Sequence, residues 1–304
     1  MRYWVTYPLI SHPYAPELVT KDAVTRFAQA AEAAGFDGMG FTDHPAPSHR
    51  WLEAGGHDAL DPFVAFGLVA AVTTRLRLVP NILVLPYRNP FVVAKAAATL
   101  DVVSGGRFTL AVATGYLRGE YRALGVDFDE RNPLFDEALA VMRGIWTTDD
   151  FAHEGLHFTA TGQTANPKPG PIPVWIGGNS ALSRRRVAAS ADGWTPFAAP
   201  AQLARTAKTA VLETVDDLVP MLDHLWAHVD EAGRDRSAID ICVQALGCVP
   251  PGQDGFDGEQ HVDTLGRLAA LGATWTGTSV PGDSLAHALD ALEQYATTVI
   301  AKSP

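Results

Sequence analysis

The sequence predicts an α/β fold, a parallel (β/α)8 barrel with its helices outside. Two observations carry the prediction. Short β-rich runs alternate with amphipathic helical stretches along the chain, strand then helix, eight times over. The competing doubly wound sheet lacks support, because the first strand has no G-x-G-x-x-G turn and the chain has no Walker sequence. At 304 residues the chain suits a single barrel domain spanning 1–304.

The candidate strands, in order, are 2–8 (RYWVTYP), 37–43 (DGMGFTD), 76–84 (LRLVPNILV), 108–114 (FTLAVAT), 173–177 (PVWIG), 193–197 (GWTPF), 239–246 (IDICVQAL) and 273–280 (ATWTGTSV). The third is odd: Pro80 and Asn81 sit in its middle, where proline forfeits a ladder hydrogen bond and asparagine is a poor strand former. Among the helices, Val24, Phe27, Ala28 and Ala31 share one face, and Gly35 follows as a stop. Asn89 caps a helix over 90–104 that starts on Pro90 and ends at Gly105-Gly106. Asn132-Pro133 repeats that start for a helix over 133–147, and the longest apolar stripe runs from Leu218 to Val229. Leu285, Leu289, Leu292 and Val299 close the chain. One connection differs, a segment of about two dozen residues at 148–171 between strands four and five, with a hairpin-like centre at Glu154-Gly155. Loops of this length near an active-site face often serve as lids or binding loops.

Composition narrows the function classes. Apolar residues make up 47% and charged residues 19%, as in ordinary globular chains, and the net charge of −11 disfavours nucleic acid or an anionic membrane as partner. No apolar run is long enough to span a bilayer and no leader pattern opens the chain, so a cytoplasmic protein is expected. Cys242 and Cys248 read as two apolar-like thiols.

In a barrel the active site lies at the C-terminal ends of the strands. Four segments there carry chemistry. Asp43-His44 ends strand two, where a carboxylate beside an imidazole can tune a proton-transfer group. The Pro80-Asn81 break is the second. Strand four ends in Thr114-Gly115, followed by Tyr116, Arg118 and Glu120 as potential polar contacts. Strand five ends in Gly177 and Gly178, after which Asn179 and Ser180 can cap a helix whose amides suit a phosphate. Of Arg184, Arg185 and Arg186, at least one can reach back, and most are expected in solvent. His224 and His228 lack the adjoining glutamate of a zinc helix and read as surface residues. His153 and His157, in the 148–171 segment, could face a substrate. A metal-dependent hydrolase barrel is disfavoured because no second ligand cluster follows the Asp-His, and no metal site is expected.

Taken together and in order, AAEAAGFDGMGFTDHP, RLRLVPNILVLPYRNPFVVAKAAATLDVVSGGRFTLAVATGY and PVWIGGNSALSRRRVAASADGW resemble the luciferase-like monooxygenase superfamily, TIM barrels that use flavin or deazaflavin. The likeness covers nearly the whole chain and is strongest to the oxidoreductases that use coenzyme F-420, an 8-hydroxy-5-deazaflavin. It implies hydride transfer between F-420 and a small organic substrate, with Asp43 touching the cofactor and His44 handling the substrate proton. It implies a non-prolyl cis peptide at Asn81-Ile82 supporting the central ring, Gly177, Gly178, Asn179 and Ser180 on the cofactor phosphate, and Thr114 and Gly115 lining the same pocket. Asp43, His44 and Tyr116 are the candidate catalytic proton-transfer groups. The sugar-phosphate dehydrogenase branch has a glutamate where this chain has Tyr116 and a tryptophan where it has Ser48, which argues against that substrate. Two alternatives stand: an FMN-dependent monooxygenase using molecular oxygen with flavin from a partner reductase, and a non-catalytic flavin-binding barrel. A homodimer is expected from the resemblance. Trp51 and the 46–60 loop, Tyr116 and the 148–171 segment are expected to shape the substrate pocket.

Overall fold

In the computed structural model, which describes residues 1–302, the eight expected strands are present and all pair in parallel. They are β1 (Arg2–Thr6), β2 (Gly38–Gly40), a third strand split into β3 (Arg77–Leu78) and β4 (Leu83–Val84), β5 (Leu110–Ala113), β8 (Val174–Gly177), β9 (Gly193–Thr195), β10 (Asp240–Ile241) and β11 (Trp275–Thr278). Hydrogen bonding runs in the order β11-β1-β2-β3 on one side and β10-β9-β8-β5-β4 on the other. Single bridges at Leu78–Phe108 and Cys242–Trp275 close the two halves into a barrel.

The split in strand three follows from its sequence. Val79 donates to the Met39 carbonyl of β2 and Asn81 to the Phe41 carbonyl just past it, while Pro80, between them, has no N–H to offer the opposite neighbour. After the Asn81–Ile82 peptide, which is cis, Leu83 and Val84 change partners and pair with Val112 and Ala113 of β5. Before the break Leu78 pairs with Met39 of β2 and bridges to Phe108, and after it Leu83 and Val84 continue on the β5 side alone.

The helices are α1 (Lys21–Ala33), α2 (His49–Glu53), α3 (Pro62–Val72), α4 (Pro90–Ser104), α5 (Arg118–Ala123), α6 (Arg131–Thr147), α7 (Ala181–Ser190), α8 (Ala201–Ala207), α9 (Val215–Glu231), α10 (Gly258–Ala270) and α11 (Leu285–Thr298). Helix α4 keeps the expected bounds: the Asn89 side chain accepts from the Phe91 amide, and Gly105 takes the left-handed conformation that ends it, at φ 71°. Helix α6 corrects the expected start at Pro133. It begins at Arg131, and Asn132 lies inside it, accepting from Arg186. Between α6 and β8, β6 (Phe151–Glu154) and β7 (Thr159–Gln163) form an antiparallel hairpin.

Two cores result. Between barrel and helices lies a large aliphatic and aromatic layer that includes Phe27, Phe66, Phe108, Phe135 and Leu225. Inside the barrel, Trp4, Val79, Ala111, Trp175, Cys242 and Trp275 fill the lumen, with the Trp175 and Trp275 rings edge to face at 5.4 Å. Both cysteines are free thiols. Burial pushes the Cys242 thiol up to about 12, so it stays protonated, and it receives the Trp4 indole N–H at 2.9 Å. Among the described residues no helix is long and apolar enough to cross a membrane.

Candidate active site

The C-terminal ends of β2, β4, β5, β8, β9 and β10 converge on one mouth, and each contributes for a local reason. At the end of β2, Gly40 lets the chain pass the broken third strand, since a Cβ there would lie 2.4 Å from the Val79 carbonyl oxygen. Two residues after the Phe41 carbonyl that receives Asn81, Asp43 is buried and fully engaged: one carboxylate oxygen accepts from the Val84 amide at 2.9 Å, the other from Arg88 at 2.7 Å. Burial works against the Arg88 cation, but the carboxylates of Asp43 and Asp61 outweigh it and hold Arg88 above its ordinary range. Asp43 therefore pins the chain just after the cis peptide. Asn81 is held from the other side, its side-chain amide donating to Thr6 at 2.9 Å.

His44 lies on the open side of that pin. Its Nδ1 is 3.1 Å from Glu120 on α5, a carboxylate with no solvent exposure. The same carboxylate accepts from the Tyr87 hydroxyl at 3.0 Å and the Ala46 amide at 3.2 Å. Burial, and then the Glu120 charge, push the Tyr87 hydroxyl well above its ordinary range, so it remains a donor. Aromatic rings enclose the imidazole: Trp51 at 4.6 Å, His57 at 4.9 Å and Tyr116 at 6.5 Å between centroids. Burial lowers the His57 pKa and raises that of Tyr116. Both side chains are thus neutral beside His44 at neutral pH.

Positions 116 and 48, where the resemblance expects a carboxylate and an indole, hold Tyr116 and Ser48, and a carboxylate and an indole reach His44 from Glu120 and Trp51 instead; Ser48 caps α2 by accepting from the Trp51 amide. Sequence reading named Glu120 only as a possible polar contact and missed Tyr87 and His57. The signal available was a glutamate near the start of a short helix after strand four.

At the opposite side of the mouth, Ile82 reaches across to β8, and a Cβ on Gly177 would meet its Cδ1 at 2.2 Å. Below this contact a cavity of about 30 Å³ is lined by Trp4, Asn81, Ile82, Thr195, Phe197 and Gln244 among others. Gly178 adopts φ 103°, and Ser180 caps α7 by accepting from the Ser183 amide. The cap takes up the Ser183 amide, and the two amides before it have no acceptor in a preceding turn of the helix. Asn179 is buried and its side chain is occupied, donating to the Phe197 and Ala210 carbonyls and accepting from the Phe197 amide. Thr114 and Gly115 follow β5, and the Thr114 carbonyl receives the Tyr121 hydroxyl.

The arginines depart from expectation, since only Arg185 is in solvent. Arg184 is buried and donates to the Asn179 carbonyl at 2.8 Å, while Arg186 pairs with Asp136 on α6. His224 takes an N–H from Arg184 at 3.3 Å. His153 lies 3.2 Å from Glu137 on α6, and His157 lies 3.5 Å from Glu130, so the hairpin histidines are turned to α6.

Comparison with known proteins adds the following. The family model described as luciferase-like monooxygenase matches residues 3–254. An uncharacterised protein of Mycobacterium tuberculosis is 32% identical over 296 residues, covering 90% of this chain and 93% of its own. An F-420-dependent glucose-6-phosphate dehydrogenase of Segniliparus rotundus is 30% identical over 227 residues, covering 73% and 63% respectively. Among solved structures, the oxygenating constituent of 3,6-diketocamphane monooxygenase of Pseudomonas putida, in complex with FMN, aligns over 100% of this chain and 99% of its own with a TM-score of 0.76 at 17% identity. That likeness concerns the fold.

Proposed function

This chain belongs to the luciferase-like monooxygenase family and is an F-420- or flavin-dependent oxidoreductase, and from that premise we propose that it transfers a hydride between coenzyme F-420 and a small organic substrate. One observation carries the choice: a buried Glu120 bonded to His44 at the barrel mouth, a pair suited to moving a proton as a hydride leaves or arrives.

The residues at the mouth fit such a cofactor. The missing side chain at Gly177 leaves room for Ile82 to lie against β8 as an apolar support for a flat ring system, and the amides at the start of α7 offer an anion site for a phosphate arm. In this reading Gly177, Gly178 and Ser180 line that arm, and Asn179 holds the turn in shape. Thr114 and Gly115 line the same pocket, and Asn81 and Ile82 support the ring. When bound, the deazaflavin supplies the carbon that gives or accepts the hydride.

The protein's own part is proton handling and orientation. With Nδ1–H donated to Glu120, the His44 Nε2 carries the lone pair that accepts a substrate hydroxyl proton. Glu120 stabilises the imidazolium that results, and the Tyr87 hydroxyl and the Ala46 amide keep that carboxylate in place. Trp51, His57 and Tyr116 limit water around the imidazole. Asp43 acts through the chain it pins, setting where Ile82 and Val84 lie. The test is cofactor binding to purified apoprotein, followed by oxygen uptake with reduced FMN. F-420 binding at micromolar concentration without oxygen uptake is expected. FMN binding alone, with oxygen consumed, would replace this reading with a monooxygenase fed by a partner reductase.

A further inference from the structure

Outside the barrel mouth, three side chains with no part in the proton-transfer pair come together from two segments. His12 lies on the loop after β1, while His49 and Glu53 lie four residues apart on one face of α2. Their ligating atoms all fall within 4.8 Å of one another: His12 Nε2 is 3.7 Å and His49 Nε2 is 3.9 Å from Glu53 Oε1. Behind them, His12 Nδ1 is 2.8 Å from Asp58 Oδ2.

This last contact decides the chemistry. Asp58 accepts from a His12 Nδ1–H, so in the neutral ring the lone pair sits on Nε2, 3.7 Å from the Glu53 carboxylate oxygen. A cation between these two acceptors would satisfy both, and His49 brings a third ligating atom to the same point. A carboxylate behind a histidine is the outer-shell arrangement that orients a metal-ligating imidazole and raises its basicity. Two imidazoles and one carboxylate suit a borderline first-row ion such as zinc or cobalt rather than magnesium or calcium, which prefer oxygen.

We propose that His12, His49 and Glu53 form a divalent transition-metal site, with Asp58 as the outer partner of His12 and water completing the coordination. Bonds of about 2.0–2.2 Å require donor atoms roughly 3.3 Å apart, so the ligands need to close by about 1.5 Å at most. His49 and Glu53 are the ones free to move, with side chains 82% and 62% exposed. The metal would join the loop after β1 to α2, which carries Trp51 against His44. It would thereby stiffen the roof of the barrel mouth, whichever cofactor that mouth holds.

The test uses the tag-free full chain titrated with cobalt(II), read by its visible d–d absorption. One equivalent should bind at micromolar concentration and be displaced by zinc. Because both residues are exposed, His49→Ala and Glu53→Gln should leave the fold intact and weaken binding at least about tenfold, and Asp58→Asn should weaken it about 10–100-fold. Bound cobalt should also slow tryptic cleavage after Arg50, which lies within α2, in the unaltered chain and not in His49→Ala. The absence of saturable absorption up to millimolar cobalt, or the same spectrum and affinity in His49→Ala, would overturn the proposal.

Discussion

Glu120 is the side chain on which the polar contacts of the mouth converge, and its removal has a defined signature. Glu120→Gln keeps the shape but loses the charge that steadies a protonated His44. We expect kcat to fall by about 10²–10⁴-fold while cofactor affinity changes by no more than about twofold, as read by steady-state kinetics and fluorescence titration. A loss of only a few fold would remove Glu120 from the proton-transfer scheme. The importance of Glu120 was hard to see in the sequence. Asp43 and His44 are legible because they adjoin each other at a strand's end, where direction along the barrel is fixed. Glu120 acquires its role because the short α5 buries it beside His44, four residues after the position where a family pattern would place a carboxylate. A similar displacement hides Trp51 behind Ser48.

At the scale of elements, the hairpin β6-β7 is fastened to the outside of α6 through Glu137, which accepts from the His157 and Phe158 amides and lies 3.2 Å from His153. Burial works to raise the Glu137 pKa, but these donors outweigh it and hold the carboxyl below its ordinary value. A carboxyl depressed in the folded state contributes stability that is fully present above its unfolded pKa of about 4.3 and is lost as pH falls through the folded value. Protection of the His157 and Phe158 amides from hydrogen exchange, taken relative to their intrinsic rates, should therefore fall as pH drops below about 4.3, and Glu137→Gln should show low protection at these amides already at neutral pH. Slow exchange in the variant would mean that the hairpin is held by other contacts. The sequence marks the hairpin through Glu154-Gly155. It does not say that His153 and His157 turn toward α6, because that depends on the face of a helix some twenty residues earlier.

For the molecule as a whole, stability depends on a lumen packed with tryptophan. Trp175 is 2% exposed and lies against Trp275, between strands that meet only when the barrel has closed. Trp175→Ala should cost about 3–5 kcal/mol, measured by denaturant unfolding, because the surrounding strands cannot collapse into the space. A cost under about 1 kcal/mol would show a lumen able to repack. The third strand is interrupted at Pro80: Leu78 before it pairs with β2, and Leu83 and Val84 after it pair with β5. The alternation of strand and helix, the caps at Asn89 and Gly105, and the residues at the strand ends were determined by the sequence alone, since they depend on neighbours within a few positions. Only the tertiary structure decided which of those strand-end residues work together. Glu120 meets His44 from 76 positions away, Asp43 is taken up by the Val84 amide and Arg88, and His12 meets the α2 pair from the loop after β1. Such contacts are set by how the barrel closes and how each helix is rotated, which local patterns leave undetermined.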